Sequence, residues 1–305
     1  MSLTIEDKRL YVEVCQFIGS FTSLIQGSGG NFSVKSVDEL MIKSSGKRIR
    51  DTTNTNGFVI CDIHTLRTLD RIEPVVGSDN PSMEVFFHLL PSKWIFHFHP
   101  TFMMNILCSN QWNTITFPAE IKTLFIPYST PGIDLSKIIV PQYTDESLIV
   151  LQNHGIIICS DTIHTALTLL DTIYSTITKT TIQFTKMFDF VLSIQPKVCK
   201  PCNTLQRTNI LFDKFYPISP DIYLFLKNKP NVWPEPYQSE SVVFTPTMVF
   251  VVGNSLRQCE CIEEILISYV EICSSCDINT LHCLHDQELT LLTTSTSEIN
   301  RINNY

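Results

Sequence analysis

Apolar residues in the first part of the chain follow two different periods. Over residues 5–21 they recur every three or four positions, with Leu10, Val14 and Phe17 on one stripe, which predicts an amphipathic helix. The glycine-rich run at 27–31 ends this pattern. Short apolar runs separated by polar turns then predict three strands, at 32–35, 40–43 and 58–61.

From residue 82 onward, helical and strand patterns are mixed. Ser82 can act as an N-cap, and the apolar run behind it leads to Pro91, so a helix is predicted between them. Asp161 is the predicted N-cap of a long helix over 162–188. Between these two helices, the pattern predicts a strand leading into His97, a helix at 101–107 and strands at 147–151 and 155–159. Helices and strands without a repeat predict a layered α/β fold.

Prolines and a cysteine pair interrupt the pattern between residues 195 and 206. We therefore predict a first domain at 1–195 and a smaller C-terminal α/β extension at 207–305. Within the extension, the pattern predicts a strand at 247–253 and helices at 262–272 and 286–301. Because no low-complexity linker separates the two parts, we expect the extension to pack on the first domain.

Composition and charge narrow the classes of function. The chain has 305 residues, of which 44% are hydrophobic, enough for a sizeable core. Its net charge of -8 argues against general nucleic-acid binding, which needs a basic surface. The longest uncharged stretch, residues 94–119, contains two histidines and two prolines and is a poor membrane span. We expect neither a nucleic acid nor a membrane as a partner.

The eleven cysteines bear on the cellular compartment. The first residues lead directly into charged positions without an apolar leader, so we expect a cytoplasmic chain with reduced thiols. Cys199 with Cys202, and Cys273 with Cys276, have the spacing of zinc ligands, and a second, structural zinc site is one interpretation. Independent thiols are the favoured interpretation, because the two pairs lie far apart in the chain and cysteines are common elsewhere in it.

Three histidines and a glutamate are candidate metal ligands. His97 and His99 lie two residues apart at the end of a predicted strand, which puts both imidazoles on one face. His154 lies between two predicted strands, and Glu84 lies upstream. Neutral imidazole suits zinc and related divalent metals, and a carboxylate can complete a fourth position. Taken singly, each histidine is more often structural, and Glu84 could merely add favourable charge to a helix N-terminus.

Six short motifs follow one another through the first domain. They are Gly29-Gly30-Asn31, Ser44-Ser45-Gly46, Pro81-Ser82-Met83-Glu84, His97-Phe98-His99-Pro100, Ile126-Pro127-Tyr128 and Asn153-His154-Gly155. In this order they resemble the class II aldolase/adducin-head family over about residues 13–187. The resemblance implies a three-layer α/β/α sandwich around a mostly antiparallel sheet. Segments after residue 220 resemble, more weakly, the C-terminal part of longer members.

The resemblance also implies a metal site and a phosphate site. It assigns His97, His99 and His154 as ligands of one divalent metal. Glu84 matches a carboxylate that binds the metal when no substrate is present and can act as acid and base. The residues implied to bind substrate or phosphate through amide or hydroxyl donors are Asn31, Ser45, Gly46 and Ser82.

Three further positions bear on the substrate. Lys43 belongs to a local basic patch at 43–50 that could attract a phosphate, although a solvated hairpin face is an equal interpretation. Met83 stands where fuculose-phosphate aldolases often have a second serine. Those aldolases take a proton donor, a tyrosine, from a neighbouring subunit, and no clear counterpart is found here; Phe117 lies in about that region.

The implied activity is that of a metal-dependent lyase. Retro-aldol cleavage of a small sugar or sugar phosphate, through an enediolate that the metal stabilises, is the leading interpretation. Zinc is the expected metal, and a homo-oligomer is expected because the family commonly builds its site at subunit interfaces. A sugar-phosphate epimerase or dehydratase on the same site is the alternative within enzymes. A non-catalytic, adducin-like binding module is the alternative outside them.

Overall fold

The computed structural model describes most of the chain. The described residues are 2–68, 79–195, 197–206, 225–226, 230–232, 241–245, 248–275, 284 and 286–294. The chain divides into two compact units, Met1–Asp189 and Phe190–Tyr305. The predicted packing of the C-terminal extension on the first domain stays a prediction.

The first unit is built on a seven-stranded sheet. Its strands are β1 (Asn31–Lys35), β2 (Glu39–Lys43), β3 (Phe58–Asp62), β4 (Trp94–Phe98), β5 (Thr123–Ile126), β6 (Leu148–Leu151) and β7 (Gly155–Ser160). They lie in the order β3-β2-β1-β4-β7-β6-β5. All neighbours are antiparallel except β5 and β6, which are parallel. The predicted mixed α/β fold with a mostly antiparallel sheet is confirmed.

Six α-helices and two short 3₁₀ helices accompany this sheet in the described part of the chain. The helices are α1 (Ile5–Gly19), α2 (Ile63–Thr68), α3 (Thr101–Leu107), α4 (Ile133–Gln142), α5 (Ile163–Thr178) and α6 (Phe184–Ser193). The 3₁₀ helices are Ile49–Asp51 and Val85–Leu89. The predicted helices at the N-terminus and at 101–107 are confirmed, whereas α2, α4 and strand β5 were not predicted.

Alternation along β4 assigns its side chains to two layers. Ile95 packs in a cluster with Phe87 of the second 3₁₀ helix and Leu135 of α4. Phe96 has the opposite parity, and its ring centroid lies 4.9 Å from that of Phe32. Ring contacts link the layer of α1, α3, α5 and α6, and α1 and α5 contact strands β1 and β7. Helical elements therefore cover both faces of the sheet.

The long helix predicted over 162–188 is wrong, because this segment forms two helices. Helix α5 ends where Lys179 adopts the left-handed conformation with a φ of 59°. Its N-cap is Thr162 rather than Asp161, since the Thr162 side chain accepts a hydrogen bond from the Thr165 N–H. The turn between α5 and α6 contains neither glycine nor proline, so no breaker residue signalled it.

The helix predicted to begin at Ser82 is instead a 3₁₀ helix that begins at Val85. The Ser82 N–H donates to the carbonyl oxygen of Lys43, at the end of β2, over 3.0 Å. The Ser82 Oγ still accepts a hydrogen bond from the Glu84 N–H over 3.4 Å, but the contact with Lys43 keeps the segment beside the sheet. Glu84 consequently lies immediately before the short helix instead of in the first turn of a longer one.

The second unit is a smaller α/β body. Its strands are β8 (Val198–Gln206), β9 (Asn231–Val232), β10 (Val242–Phe244) and β11 (Met248–Gly253), and its helices are α7 (Leu256–Ser275) and α8 (Asp286–Thr294). The sheet order is β8-β11-β10-β9, and α7 contacts β8 and β11. Strand β8 runs through most of the interruption predicted at 195–206, with a local irregularity near Pro201, and the domain boundary predicted there stays a prediction. Residues 295–301 of the last predicted helix lie outside the described residues.

The two cysteine pairs have different surroundings. Cys199 and Cys202 are buried in β8, Cys273 is partly buried in α7, and Cys276 lies outside the described residues. The interpretation of a second zinc site therefore stays untested. None of the helices in the described ranges is long and apolar enough to span a membrane.

Candidate metal centre

The imidazoles of His97, His99 and His154 converge. Nε2 of His97 lies 3.2 Å from Nε2 of His154 and 3.0 Å from Nε2 of His99. One nitrogen from each ring lies within 4.8 Å of the others. Two neutral Nε2 lone pairs cannot bond to each other, so this convergence calls for a proton or a cation among them.

The register of the sheet brings the histidines together. His97 lies in β4, opposite Ile157 of β7, and on the same face as Ile95. His99 follows two residues later, and His154 lies in the tight turn from β6 to β7, where Asn153 has a φ of 56°. Because β4 and β7 are adjacent and antiparallel, the end of β4 that leads to His99 lies beside the start of β7, which follows His154.

Gly155 allows the close approach of these strands. A Cβ at this position would overlap the carbonyl oxygen of Phe98 and would also lie 3.2 Å from Cδ2 of His99. Any larger residue must therefore push β7 away from the end of β4. The close contact between β4 and β7 therefore explains why a glycine follows His154 in the sequence motif.

Gly155→Ala should destabilise the first unit by about 3 kcal/mol, because overpacking of this kind has no flexible neighbour to relieve it. Urea unfolding measures the change. Gly27→Ala is the control, since a Cβ there meets nothing within 4 Å and only the positive φ of 57° opposes it, for about 1 kcal/mol. A Gly155→Ala protein as stable as wild type would contradict the steric account.

Glu84 faces the histidines from the segment before the 3₁₀ helix. Its Oε2 lies 3.5 Å from Nε2 of His97, and its Oε1 lies 3.4 Å from Nε2 of His154. The side chain is buried, and Oε1 has no hydrogen-bond partner among the described residues. A buried carboxylate oxygen without a partner is costly unless a proton or cation meets it.

The spacing of these donors is compatible with a divalent metal. With bonds of about 2.0–2.1 Å, the ligand atoms around zinc are separated by about 3.3 Å. Nε2 of His97 lies 3.0 and 3.2 Å from the other two Nε2 atoms, and the distances from His97 to Oε2 and from His154 to Oε1 of Glu84 are 3.5 and 3.4 Å. Three imidazole nitrogens and one carboxylate oxygen are also a donor set that divalent transition metals accept. The residues present therefore fit a metal.

The protonation of the histidines also suits a metal. Burial, with a contribution from His99, lowers the pKa of His97 to about 3. Burial, with a contribution from His97, lowers the pKa of His154 to about 3, and burial lowers that of His99 as well. Near neutral pH the rings are uncharged. The Nδ1–H of His97 donates to the carbonyl oxygen of Ile156 over 3.0 Å, which leaves a lone pair on Nε2.

A buried polar chain lies behind Glu84. Asn31 Nδ2 donates to Glu84 Oε2 over 2.8 Å, Asn31 Oδ1 contacts His88 Nε2, and Ser33 Oγ lies 2.6 Å from His88 Nδ1. We had not predicted a role for Ser33. The available signal was its alternation with Asn31 on β1, since both face the side of the sheet that carries His97.

The residues predicted to bind phosphate occupy different environments. Asn31 and Ser82 are buried, and the Asn31 carboxamide is engaged by Glu84 and His88. Ser45 and Gly46 are exposed, and Gly46 has a φ of 74° with open space around its Cα. Lys43 is buried, which lowers the pKa of its ammonium to about 8. Their role toward a phosphate stays a prediction.

Lys43 connects two loops beside the candidate metal centre. Its Nζ donates to the carbonyl oxygen of Ser28 over 2.7 Å and to that of Lys47 over 2.9 Å. The first contact is to the glycine-rich loop and the second to the loop after β2. Lys43 thus holds the loop that contains Ser45 and Gly46 near the loop that precedes Asn31.

Two exposed apolar side chains belong to the motifs around the centre. Met83 precedes Glu84 and is 59% exposed, and Tyr128 is 61% exposed. The Tyr128 N–H donates to Oε1 of Gln152, two residues before His154, over 3.0 Å.

A comparison with models of known protein families identifies one family. The family model described as the Class II Aldolase and Adducin N-terminal domain matches residues 9–177, which is more than half of the chain. No curated protein matches the sequence.

Solved structures give matches of low identity. The N-terminal class II aldolase domain of a conserved protein from Thermoplasma acidophilum is 22% identical, with a TM-score of 0.44, over 63% of this chain and 96% of that one. An L-fuculose 1-phosphate aldolase is 17% identical, with a TM-score of 0.45, over 64% and 90% of the two chains. A sugar-phosphate aldolase from Thermotoga maritima is 14% identical, with a TM-score of 0.42, over 61% and 97%.

Proposed function

The chain belongs to the class II aldolase and adducin N-terminal domain family, and on that premise we propose that it is a metal-dependent carbon–carbon lyase. Its substrate would be a small sugar or sugar phosphate, cleaved in the retro-aldol direction. The observation that carries the proposal is the unpartnered Oε1 of Glu84, buried against the converging Nε2 atoms of His97, His99 and His154.

His97, His99, His154 and Glu84 are the residues that would hold the metal. When bound, a divalent cation supplies Lewis-acid polarisation of a substrate carbonyl oxygen. Zinc is the metal we propose, because three imidazoles and a carboxylate are a donor set that suits it. Burial of the imidazoles keeps them neutral, and the Ile156 carbonyl orients the ring of His97.

Glu84 is the group in this site that can carry a proton. Retro-aldol cleavage needs a base for the hydroxyl proton on the carbon that becomes an aldehyde. The bonding pair of the broken C–C bond passes toward the carbonyl, and the carbon left behind is then protonated. Oε1 of Glu84 has no competing hydrogen bond among the described residues, so it is free to accept and return a proton.

The remaining parts of the proposal concern the phosphate, the assembly and the location. A substrate phosphate would meet the donors of the loop that contains Ser45 and Gly46, beside the ammonium group of Lys43. We propose a homo-oligomer with subunits that meet near the site, as the resemblance to class II aldolases implies. We propose a cytoplasmic location, where the eleven cysteines would be kept as reduced thiols.

A coupled assay tests the proposed reaction. Protein reconstituted with zinc is incubated with ketose 1-phosphates, among them fuculose and rhamnulose 1-phosphates, and dihydroxyacetone phosphate is measured by NADH oxidation with glycerol-phosphate dehydrogenase. We expect metal-dependent release of dihydroxyacetone phosphate that chelation abolishes. NMR of the same mixtures reports epimerised or dehydrated sugars. Either of those products without cleavage would replace the lyase by the corresponding isomerase or dehydratase.

A further inference from the structure

We infer that His88 is a positioning residue. It acts through Asn31 to hold the Glu84 carboxylate by Oε2, so that Oε1 faces the candidate metal ligands. The inference rests on the proposed function, because it deepens the account of the same site. It assigns a task to a buried histidine that is neither a candidate ligand nor in contact with the converging Nε2 atoms by any hydrogen bond in the described structure.

The chain of contacts is continuous and buried. It leads from the Ser33 hydroxyl to His88 Nδ1, from His88 Nε2 to Asn31 Oδ1, and from Asn31 Nδ2 to Glu84 Oε2. The exposed fractions of Ser33 and His88 are 0%, and those of Asn31 and Glu84 are 2% and 6%. Water therefore has little access to replace any of these partners.

The chemistry of the groups sets the direction of every hydrogen bond. An ionised carboxylate only accepts, so Asn31 must donate through Nδ2 and accept through Oδ1. His88 must then carry its proton on Nε2 to donate to Oδ1, and its Nδ1 must accept from the Ser33 hydroxyl. If the Asn31 carboxamide were flipped, its oxygen would face the Glu84 carboxylate and its NH₂ group would face the Nε2–H of His88, and both contacts would be repulsive. His88 thus selects the Asn31 orientation that binds Glu84.

The two carboxylate oxygens of Glu84 therefore have different surroundings. Oε2 is held by Asn31, whereas Oε1 is left without a hydrogen bond among the described residues and lies 3.4 Å from His154 Nε2. One oxygen anchors the side chain and the other faces the place where a cation or a substrate proton would be. Substituting a residue that hydrogen-bonds to a metal ligand typically weakens metal affinity or activity 10–100-fold.

His88 also packs in the core, so its polar task must be separated from its volume. Its ring stacks on Phe87 at a centroid distance of 4.7 Å, and the Lys35 ammonium donates to its backbone carbonyl. The backbone contact survives any substitution. Gln and Asn form a matched pair at this position, because a Gln amide nitrogen reaches about where Nε2 lies and an Asn amide nitrogen only about where Nδ1 lies.

The experiment compares His88→Gln with His88→Asn. Zinc affinity is measured by calorimetry at neutral pH on each metal-free protein, and unfolding in urea reports whether each one folds. We expect a zinc Kd within about threefold of wild type for His88→Gln and about 10–100-fold weaker for His88→Asn. The kcat of the cleavage reaction at saturating zinc should fall in His88→Asn and be retained in His88→Gln. Ser33→Ala, a small change that keeps the ring, should weaken zinc binding several-fold if His88→Asn does not fold.

Two kinds of result overturn the inference, and a third removes the proposed function on which it rests. Equal losses in His88→Gln and His88→Asn would mean that the ring matters only by packing. Wild-type zinc affinity in a folded His88→Asn protein, or in Ser33→Ala, would mean that the chain does not orient Glu84. A wild-type protein that binds no divalent metal would instead remove the proposed function itself, which separates the two failures.

Discussion

Replacing His97 with alanine should weaken the binding of divalent metal by about a hundredfold or more. A structural zinc site with four protein ligands contributes about 10–16 kcal/mol in total, so that one ligand accounts for about 3 kcal/mol. His97 is the central member, since its Nε2 lies within 3.5 Å of a donor atom of each of His99, His154 and Glu84. Metal analysis after dialysis should find about one ion per wild-type chain and almost none in His97→Ala.

The matched control for this experiment is His64→Ala. His64 is exposed, and its Nε2 lies 3.5 Å from Oδ1 of Asp38, which immediately precedes β2 and is not a candidate ligand. Its removal should leave the metal content unchanged. Near-zero metal in both the wild type and His97→Ala would refute the metal centre, and equal, stoichiometric metal in both would place the ion elsewhere.

Glu84→Gln should reduce the rate of cleavage by about 10²–10⁴-fold, the usual contribution of a positioned acid and base. A carboxamide cannot take up a proton at neutral pH. Because Asn31 donates to the oxygen at the Oε2 position, the Gln carbonyl must occupy that position. The amide NH₂ is then directed toward Nε2 of His154, where it opposes a cation. Metal affinity should therefore fall together with kcat.

The kinetics of Glu84→Gln are measured at saturating zinc, so that a weaker metal site does not mimic a lost proton carrier. Glu120→Gln, at an exposed glutamate, is the control and should leave both kcat and metal affinity unchanged. A Glu84→Gln protein with kcat within about threefold of wild type would assign the proton transfer to another group. In that event Glu84 would retain at most a ligand role.

The candidate metal centre could be predicted from the sequence largely because its parts lie on strands with clear patterns. Two histidines two residues apart on an apolar strand must share a face, and this relation survives any detail of the fold. That His154 lies beside them depends on the register of β4 with β7. No local pattern carries this register, so only the order of motifs along the chain indicated it.

The orientation of individual polar side chains could not be predicted from the sequence. The resemblance assigns Asn31 to a substrate phosphate, and this role stays a prediction, but no local pattern indicated that its carboxamide lies buried between Glu84 and His88. Ser82 Oγ accepts a hydrogen bond from the Glu84 N–H, as its N-cap signal suggests, but the pairing of its own N–H with the end of β2 holds the segment beside the sheet. In both cases a contact with a residue distant in sequence decided the outcome, and local propensity does not report such contacts.

The central claim is that His97, His99, His154 and Glu84 surround one divalent cation. The most direct measurement is an anomalous difference map at the zinc absorption edge, from crystals of the protein grown with zinc. The account predicts a peak about 2.0–2.2 Å from the three Nε2 atoms, with Oε1 of Glu84 or a substrate analogue at a fourth position. A map with no peak there, or with its strongest peak at other residues, would contradict it.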